Sequence, residues 1–521
     1  MLENNCNELY FEKLFHRFTA FVYKNRYVFS GSFLIGLLSY VYFFTNKLPN
    51  HDDLFWFFQK GASIESGRFV LVLLSFILPD FSMPWIYGIL SLLFFTLGNC
   101  LIIRIFHIRT SVIQFLLSGI IICFPSLIGT FTYTFTTLPY AICYFLTVLA
   151  ALLLTNGSRR CIPFSVVAIV GAVGIYQAYL SITVSILILF LMQQLLLENG
   201  SVEKLFVRGL SYIAVLLAAL AVYWGISSLL WTFGDSSMGG YASNALTFSL
   251  SSIFGSIKNA YIGCIRVLRY RHYGLIASPF SLLIHYIAAV LAGFELLAYM
   301  FRCRSIPKIL FLLFLIGIFP LGINCIYIFV SVDSIHTLVL FSYIALYIFF
   351  AMLIEYGLSH CFFHNVLNRI HRLGLDISAT ALAIIIICNV YLANEAYLGM
   401  QLAYENTYAF STNVVTQLQM NPDYHPDSKV TLVGEFPQPE FYQYFAEAQK
   451  IAGTAGLYPD TYSIQWFYTY YVGYPLNLVS SEYCITPENQ QLYEQMPAYP
   501  NHGYIAKIDD VFVIKLSDLP K

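Results

Sequence analysis

Residues 27–45, YVFSGSFLIGLLSYVYFFT, are followed closely by the polar tetrad Asn50-His51-Asp52-Asp53 and then by Gly67-Arg68. The apolar stretch carries no charge and is long enough to cross a bilayer. It exceeds the core of a signal peptide and lacks a small-residue cleavage site, which indicates a retained span. Two adjacent carboxylates at the mouth of a span are costly to hold near lipid, so this position predicts a functional site.

The composition predicts the same class of protein. Hydrophobic residues make up 58% of the chain and charged residues 11%, whereas an ordinary soluble domain is about a quarter charged. We therefore expect a polytopic membrane protein and no nucleic-acid partner. The 11 Cys are scattered through apolar runs without a CxxC pair, which favours small core residues over a metal site or a disulfide framework.

Hydrophobic windows about twenty residues long predict eleven spans. They cover residues 27–45, 84–103, 111–131, 139–155, 162–176, 179–197, 209–231, 275–300, 309–331, 337–355 and 374–394. With eleven spans, the basic residues of the short loops fall on one face, among them Arg104, Arg159, Arg160, Lys204 and Arg208. The positive-inside rule makes that face cytoplasmic. The segment 1–26 is then cytoplasmic and the C-terminus lies outside.

This topology predicts a helical membrane domain over residues 27–394 with two polar outer loops, 46–83 and 232–274. Within the first loop, residues 69–78 are apolar but too short to span, which favours a helix lying along the interface. An outer C-terminal domain follows over residues 395–521, with fourteen acidic and five basic residues. Alternating stretches at 429–434 and 511–515 predict strands, and 439–452 predicts a helix, so we expect a small α/β domain.

Asp52 and Asp53 are candidate bases for sugar transfer outside the cytoplasm. No nucleotide sugar is supplied there, so a transferase must take its sugar from a membrane lipid. Transfer to a hydroxyl needs a carboxylate to accept the proton and a cation to hold the leaving phosphate. The alternative is that the Asp pair merely caps a helix beginning at Leu54. A divalent metal at the pair is a further option, although no recognisable ligand set accompanies it.

The second outer loop supplies the cations. At helical spacing Arg266, Arg269 and Tyr273 fall close together, while Ile262, Ile265 and Leu268 form an apolar side. Such a helix would lie on the outer leaflet with its basic residues near lipid phosphate. The candidate ligands of the donor's phosphate are Lys258, Arg266, Arg269, Arg271 and His272, with Arg68 from the first loop. General attraction to anionic headgroups is the alternative, and Arg68 could instead anchor the chain at the interface.

Tyr176-Gln177 interrupts a long apolar run and could bind a sugar inside a cavity. A polar kink filled by neighbouring helices is the competing interpretation.

Taken in order, several short motifs resemble the type II group of bacterial O-antigen glucosyltransferases, the Gtr family of GT-C-like membrane enzymes. They are Asp52-Asp53, Ser66-Gly67-Arg68, Tyr176-Gln177, the tail Met496-Pro-Ala-Tyr-Pro500, and residues 505–515. Together they cover nearly the whole chain. That group commonly has Gly-Arg-Pro where this chain has Gly67-Arg68-Phe69, which leaves the start of the following helix open. Resemblance also favours Asp53 slightly as the base.

The resemblance implies a polyprenyl-phosphate sugar donor such as undecaprenyl phosphate glucose, an O-antigen or similar polysaccharide acceptor, and a location in the bacterial inner membrane. It further implies two partner proteins, one that makes the lipid-linked sugar and a flippase that inverts it. Transfer would invert the configuration of the donor. Two alternatives stay open: a transporter of lipid-linked sugar, which would show paired halves with matching broken helices, and a polysaccharide polymerase or ligase.

Overall fold

The computed structural model of the protein describes residues 9–56, 64–78, 82–197, 200–234, 253–303, 305–360, 365–454, 463–481, 486 and 488–518. Its first helices are α1 (Tyr10–Lys24), α2 (Arg26–Thr45), α3 (His51–Phe55), α4 (Phe69–Ser75), α5 (Pro84–Ile105), α6 (Ser111–Ile122), α7 (Pro125–Thr132), α8 (Thr134–Thr155) and α9 (Ile162–Val173). The later ones are α10 (Leu180–Leu196), α11 (Val202–Phe233), α12 (Ile253–Tyr270), α13 (Pro279–Arg302), α14 (Ile306–Ile323), α15 (Ile344–Ser359), α16 (Asn365–Met420), α17 (Ile464–Phe467) and α18 (Gln490–Gln495).

The membrane domain is helical, as predicted. Within the described residues, 9 helices are long and apolar enough to cross a membrane, or 10 if the bent pair α6 and α7 forms one span. The difference from the eleven predicted spans lies at residues 162–176. There α9 has only 12 residues, and at 1.5 Å per residue it rises about 18 Å, short of a hydrocarbon core of about 30 Å. The turn after α9 nevertheless reaches the start of α8, because the Tyr176 ring stacks on Tyr140, so α9 still carries the chain from one end of α8 to the other.

The turn between α9 and α10 lies inside the bundle. Ile175, Tyr176 and Tyr179 are all buried there. Helix α4 packs against this turn, and its Val70 backbone N–H donates to the Gly174 carbonyl at 2.9 Å. The polar break in the sequence therefore brings α4 into contact with the interior of the bundle.

Helices α2, α5 and α8 meet in the core at Asn99. Asn99 joins them, since its Oδ1 accepts from the Tyr144 hydroxyl at 2.7 Å and its Nδ2 donates to Ser32 Oγ at 3.1 Å. The Tyr144 ring also lies against Gly98, where a Cβ would come within 2.4 Å of Cε1. A small residue thus permits the close helix contact and a polar residue fixes it, as is common between membrane helices.

Helix α14 ends earlier than predicted. The apolar window runs to residue 331, but the helix stops at Ile323 and a 3₁₀ turn, Cys325–Ile328, follows. The Asn324 side chain donates to the Ala260 carbonyl at 2.7 Å and to the Tyr343 hydroxyl at 3.0 Å. These contacts hold the chain in a turn although its residues are apolar enough to continue the span.

Helix α16 joins the membrane domain to the C-terminal region. It has 56 residues, which is about 84 Å and more than a bilayer requires. The helix continues without a break through residue 395, where the sequence predicts the domain boundary. Its last turns, with Phe410, Val414 and Leu418, belong to the same hydrophobic cluster as Val430 and Ile514 of the sheet.

The C-terminal region contains the predicted small α/β domain. Its strands are β1 (Lys429–Val433), β2 (Asn477–Leu478), β3 (Ile505–Ile508) and β4 (Val511–Lys515), in the order β2-β1-β4-β3. Strand β1 is parallel to both β2 and β4, and β3 is antiparallel to β4. The two strands expected at 429–434 and 511–515 are confirmed.

The helix expected at residues 439–452 is wrong as a single α-helix. Two short 3₁₀ helices, Glu440–Phe445 and Ala448–Lys450, occupy the segment. Tertiary contacts determine its course, because the Tyr442 hydroxyl donates to the Gly399 carbonyl at 3.2 Å and both Ala448 and Ile451 are buried.

Candidate active site

The Asp pair lies in the short helix α3, and neither carboxylate caps it. The cap is Asn50, whose side-chain oxygen accepts from the Asp53 backbone N–H at 2.8 Å. The Asn50 amide also donates to Thr132 Oγ1 at 3.2 Å, which ties α3 to the end of α7. The helix begins at His51 rather than Leu54, so the alternative that the Asp pair serves as its cap is wrong. Asn is among the preferred N-cap residues, which explains why the helix begins directly after Asn50.

Asp53 points into the protein and is only 2% exposed. Its Oδ1 accepts hydrogen bonds from Ser82 Oγ at 3.0 Å and from the Phe135 backbone N–H at 3.3 Å. Burial raises the pKa of Asp53 from 3.8 to about 6, although the Ser82 hydrogen bond and the charge of Lys47 oppose the rise. The carboxylate therefore connects α3 to the starts of α5 and α8.

Asp52 has the opposite character. Its side chain is 38% exposed, with Oδ1 4.0 Å from the His51 Nε2. It also lies within electrostatic range of the Tyr140 hydroxyl at the start of α8. Of the two carboxylates, Asp52 is the one that an incoming hydroxyl could reach.

Arg68 approaches the same tyrosine. Its Nη1 lies 3.5 Å from the Tyr140 hydroxyl, and its guanidinium lies over the Tyr176 ring at 5.1 Å from the centroid. The Tyr140 and Tyr176 rings are stacked, with centroids 4.3 Å apart and planes 15° apart. The structure therefore places the Arg68 guanidinium against an aromatic platform, the stacked rings of Tyr140 and Tyr176, and brings the Asp52 charge near the Tyr140 hydroxyl.

A tight turn presents Arg68. Gly67 has φ +71°, and a Cβ on it would lie 2.4 Å from the Tyr223 hydroxyl oxygen. That hydroxyl donates to the Gly67 carbonyl at 3.1 Å, while Gln177 Nε2 donates to the Ser66 carbonyl at 2.9 Å. Helix α4 then begins at Phe69, within the segment predicted to be helical, and its position along the interface stays a prediction. Gln177 thus holds the turn that carries Arg68, and its contact with substrate stays a prediction.

The sequence does not single out Tyr140, and it predicts only an interfacial position for His336, which lies near the end of a predicted span. Burial, together with the nearby Arg68 guanidinium, lowers the pKa of His336 to about 4, so its imidazole is neutral near pH 7. Its Nδ1 is buried and forms no hydrogen bond with any residue in the described ranges. No motif marks either residue, because only the folded chain brings Tyr140 to the Arg68 guanidinium and His336 within reach of its charge.

The sequence of the chain matches a known protein family. Residues 41–354, more than half of the chain, match the model described as Glucosyl transferase GtrII. The chain belongs to the GtrII glucosyltransferase family. No curated protein matches it. The matched range includes the Asp pair, Arg68, the α9–α10 turn and His336, but ends before α16 and the C-terminal domain.

As a GtrII member the chain is a membrane glycosyltransferase, with a sugar donor and an acceptor as substrates. In the part of the chain that the structure describes, no group of three or more His, Cys, Asp or Glu residues could hold a metal ion.

The basic residues of the segment 253–274 lie mostly on the surface. Lys258, Arg266 and Arg269 are exposed on α12, and His272 is exposed in the turn that follows. On the protein side of α12, Gly263 lies against Tyr327, where a Cβ would be 2.7 Å from the hydroxyl oxygen. The role of these four residues as phosphate ligands stays a prediction.

Arg271 faces the C-terminal region instead. It forms an ion pair with Glu447, which also pairs with Lys450 at 2.9 Å. Partial burial alone would raise the pKa of Glu447, but the hydrogen bonds and charges of Arg271 and Lys450 outweigh it, so the pKa is lowered. Thr337, next to His336, donates to the Tyr273 carbonyl at 2.7 Å. The outer loop, the C-terminal region and the site therefore meet at one junction.

An apolar groove of about 360 Å³ runs between α10, α11 and α14. Its lining is almost wholly hydrophobic and includes Ile188, Leu216, Phe311 and Cys325. The Cys325 thiol lies 3.1 Å from the Ser181 hydroxyl, and Tyr179, two residues before Ser181, contacts Tyr140 with ring centroids 6.1 Å apart. One end of the groove is therefore close to the aromatic platform.

Proposed function

We propose that this GtrII enzyme moves a hexose, glucose by resemblance, from a polyprenyl-phosphate donor to a hydroxyl of a surface polysaccharide such as O-antigen. The observation that carries the proposal is that a partly exposed carboxylate, Asp52, and the Arg68 guanidinium both lie near the Tyr140 hydroxyl. A hydroxyl nucleophile needs a base within hydrogen-bond reach, and a departing phosphate needs a cation.

The reaction is a single displacement. Asp52 takes the proton of the acceptor hydroxyl while the acceptor oxygen bonds to the anomeric carbon. The bond from that carbon to the phosphate oxygen breaks on the opposite face, and Arg68 stabilises the charge that the phosphate gains. The configuration inverts, and no covalent intermediate forms.

The two carboxylates take different roles in this proposal. Asp53 is buried and accepts hydrogen bonds from Ser82 and Phe135, which supports a positioning role that keeps α3 in place. The family resemblance slightly favours Asp53 as the base, whereas accessibility supports Asp52. A base must reach the proton it removes, so we assign the proton transfer to Asp52.

The lipid character of the donor has separate support. The apolar groove between α10, α11 and α14 could take part of a prenyl chain, and one end lies near the platform that includes Arg68. The alternative of a lipid-sugar transporter also uses outer cations, but the family is one of glucosyltransferases. The resemblance adds two partners in the same membrane, a donor-making transferase and a flippase.

The positive-inside rule supports an outer location for the site. Arg208, at the start of α11, donates to the Thr155 carbonyl at the end of α8, next to Arg159 and Arg160. These basic segments lie at the opposite end of α8 from Tyr140. We therefore place them in the cytoplasm of a bacterial inner-membrane protein, with Asp52 and the C-terminal domain in the periplasm.

The donor class is tested with the purified protein and an acceptor glycan. We expect transfer from synthetic polyprenyl-phosphate-glucose and none from a nucleotide sugar. Preference for a polyprenyl-pyrophosphate donor would instead support the polymerase or ligase class. A protein that moves the lipid-linked sugar across vesicles without forming a new glycosidic bond would contradict the proposal.

A further inference from the structure

A second cavity lies at the other end of the bundle. Helices α5, α10 and α15 connect the active site to this cavity. Each begins on the active-site side: α5 near Ser82, α10 near Tyr179, and α15 after the short turn that follows His336. The cavity, of about 320 Å³, lies where the far ends of these helices meet, and Phe106, Gln193 and Glu355 are among its lining residues. Its size is within the range of small-molecule sites.

The cavity has one apolar and one polar wall. Phe106, Leu196, Leu197 and Met352 provide the apolar wall. The polar groups have both signs of charge and are His107, Arg109, Gln193, Glu355, Tyr356 and Ser359. Such a lining at the end of membrane helices fits an amphiphile whose polar group carries an anion and a cation.

Gln193 has a side-chain oxygen that no described residue satisfies. The residue is only 5% exposed, and its Nε2 donates to the Phe106 carbonyl at 2.6 Å. Its Oε1 is buried and accepts no hydrogen bond from any residue that the structure describes. Buried acceptors are nearly always paired, so an orphan oxygen on a residue that lines a cavity points to a donor from outside the chain.

The polar wall is fixed in place. Glu355 accepts from the backbone N–H groups of Arg109 and Thr110, at 3.1 and 3.2 Å. These bonds hold the Glu355 carboxylate at the cavity. They use the backbone of Arg109 and not its side chain, which is exposed. Hydrogen bonds to the Arg109 backbone also mean that its side chain can be replaced without removing them.

We propose that this cavity binds the headgroup of phosphatidylethanolamine from the leaflet opposite the active site. The primary ammonium donates to Gln193 Oε1 and lies near the Glu355 carboxylate. The phosphate meets Arg109, for which guanidinium is well suited, and the first methylene groups lie against Leu197 and Met352. The choline headgroup has no N–H to donate, and the glycerol headgroup has no cation.

The proposal is tested with the purified full-length chain in detergent. Binding of phosphatidylethanolamine, phosphatidylcholine and phosphatidylglycerol with identical acyl chains is measured by native mass spectrometry. We expect the ethanolamine lipid to bind at least about tenfold more tightly than the other two, the size of one hydrogen bond to a charged group. Equal affinities for the three lipids would overturn the proposal.

Two variants separate the contacts. Arg109→Gln should weaken the binding of the ethanolamine lipid about tenfold. Arg104 is also exposed and lies at the C-terminal end of α5, so Arg104→Gln is the matched control and should not weaken binding. Gln193→Leu should abolish the preference for ethanolamine over choline, and its melting temperature without lipid reports whether it is folded. A preference that survives Gln193→Leu, or equal effects of the two arginine variants, would contradict the assignment.

A soluble probe distinguishes lipid from a free headgroup. Glycerophosphoethanolamine, which has no acyl chains, should not compete at concentrations where the lipid is saturating. Equally tight binding of this probe would show that the apolar wall has no part and would overturn a lipid site.

Discussion

Replacing Asp53 with Asn tests the assignment of that carboxylate to a positioning role. The side chain is 2% exposed, and burial raises its pKa from 3.8 to about 6. That difference means that the ionised carboxylate is less stable in the folded protein than in an unfolded chain by about 3 kcal/mol. Asn has nearly the same shape, has no charge, and can still accept from Ser82 and the Phe135 backbone N–H.

The direction of the pH dependence follows from the raised pKa. The folded protein binds the proton more readily than the unfolded chain, so the destabilising charge is fully present above pH 6 and is relieved as the pH falls towards 4. We therefore expect Asp53→Asn to raise the free energy of unfolding by up to about 3 kcal/mol at about pH 8, with the advantage fading from about pH 6 and almost lost below about pH 4.

Thermal unfolding in one detergent at about pH 8 and about pH 4.5 measures this difference. Asp52→Asn is the matched control, because its side chain is 38% exposed and should change stability little. A lower stability of Asp53→Asn at the higher pH, or a difference that does not depend on pH, would refute the reasoning.

Further predictions concern topology, phosphate recognition and the turn at Gly67. A reporter fused after Lys521 should be active only outside the cytoplasm and one fused near Arg159 only inside; the reverse pattern would contradict the outer location of the site. At Arg68 we expect Lys and Ala to be similarly defective in donor-dependent transfer, because Lys lacks the paired donors of Arg. At Arg266 and Arg269, Lys should instead preserve activity if they only attract lipid, which scales with charge; defective Lys variants there would place a phosphate ligand on α12. Gly67→Ala should lower transfer by displacing Arg68, since a Cβ would meet the Tyr223 hydroxyl at 2.4 Å; wild-type kinetics would show that this turn is not needed.

Much of the fold could be predicted from the sequence, because a bilayer demands long apolar helices. The spans that hydropathy misjudged are those that tertiary contacts shorten or extend. Helix α14 stops at Asn324 because that side chain bonds to other elements. Helix α16 extends past residue 395 because its outer turns pack on the sheet. Neither cause is a property of local hydrophobicity.

The candidate site was predictable only in part. Asp52, Asp53 and Arg68 are recognisable because charges beside a span are unusual. The cap at Asn50 could also have been found, since Asn is a preferred N-cap residue. Tyr140 and His336 could not, because an aromatic or a lone His at the start of a span most often belongs to ordinary packing. Their significance depends on distances to Arg68 that only the folded chain provides.

The most direct test compares transfer by Asp52→Asn and Asp53→Asn. With synthetic polyprenyl-phosphate-glucose as donor and an acceptor glycan, loss of the base should lower the rate of Asp52→Asn about 10²–10⁴-fold. Asp53→Asn should remain within about tenfold of the unmodified protein, the size of a changed hydrogen bond. Full activity of Asp52→Asn would contradict the account, and loss confined to Asp53→Asn would transfer the role of base to the buried carboxylate.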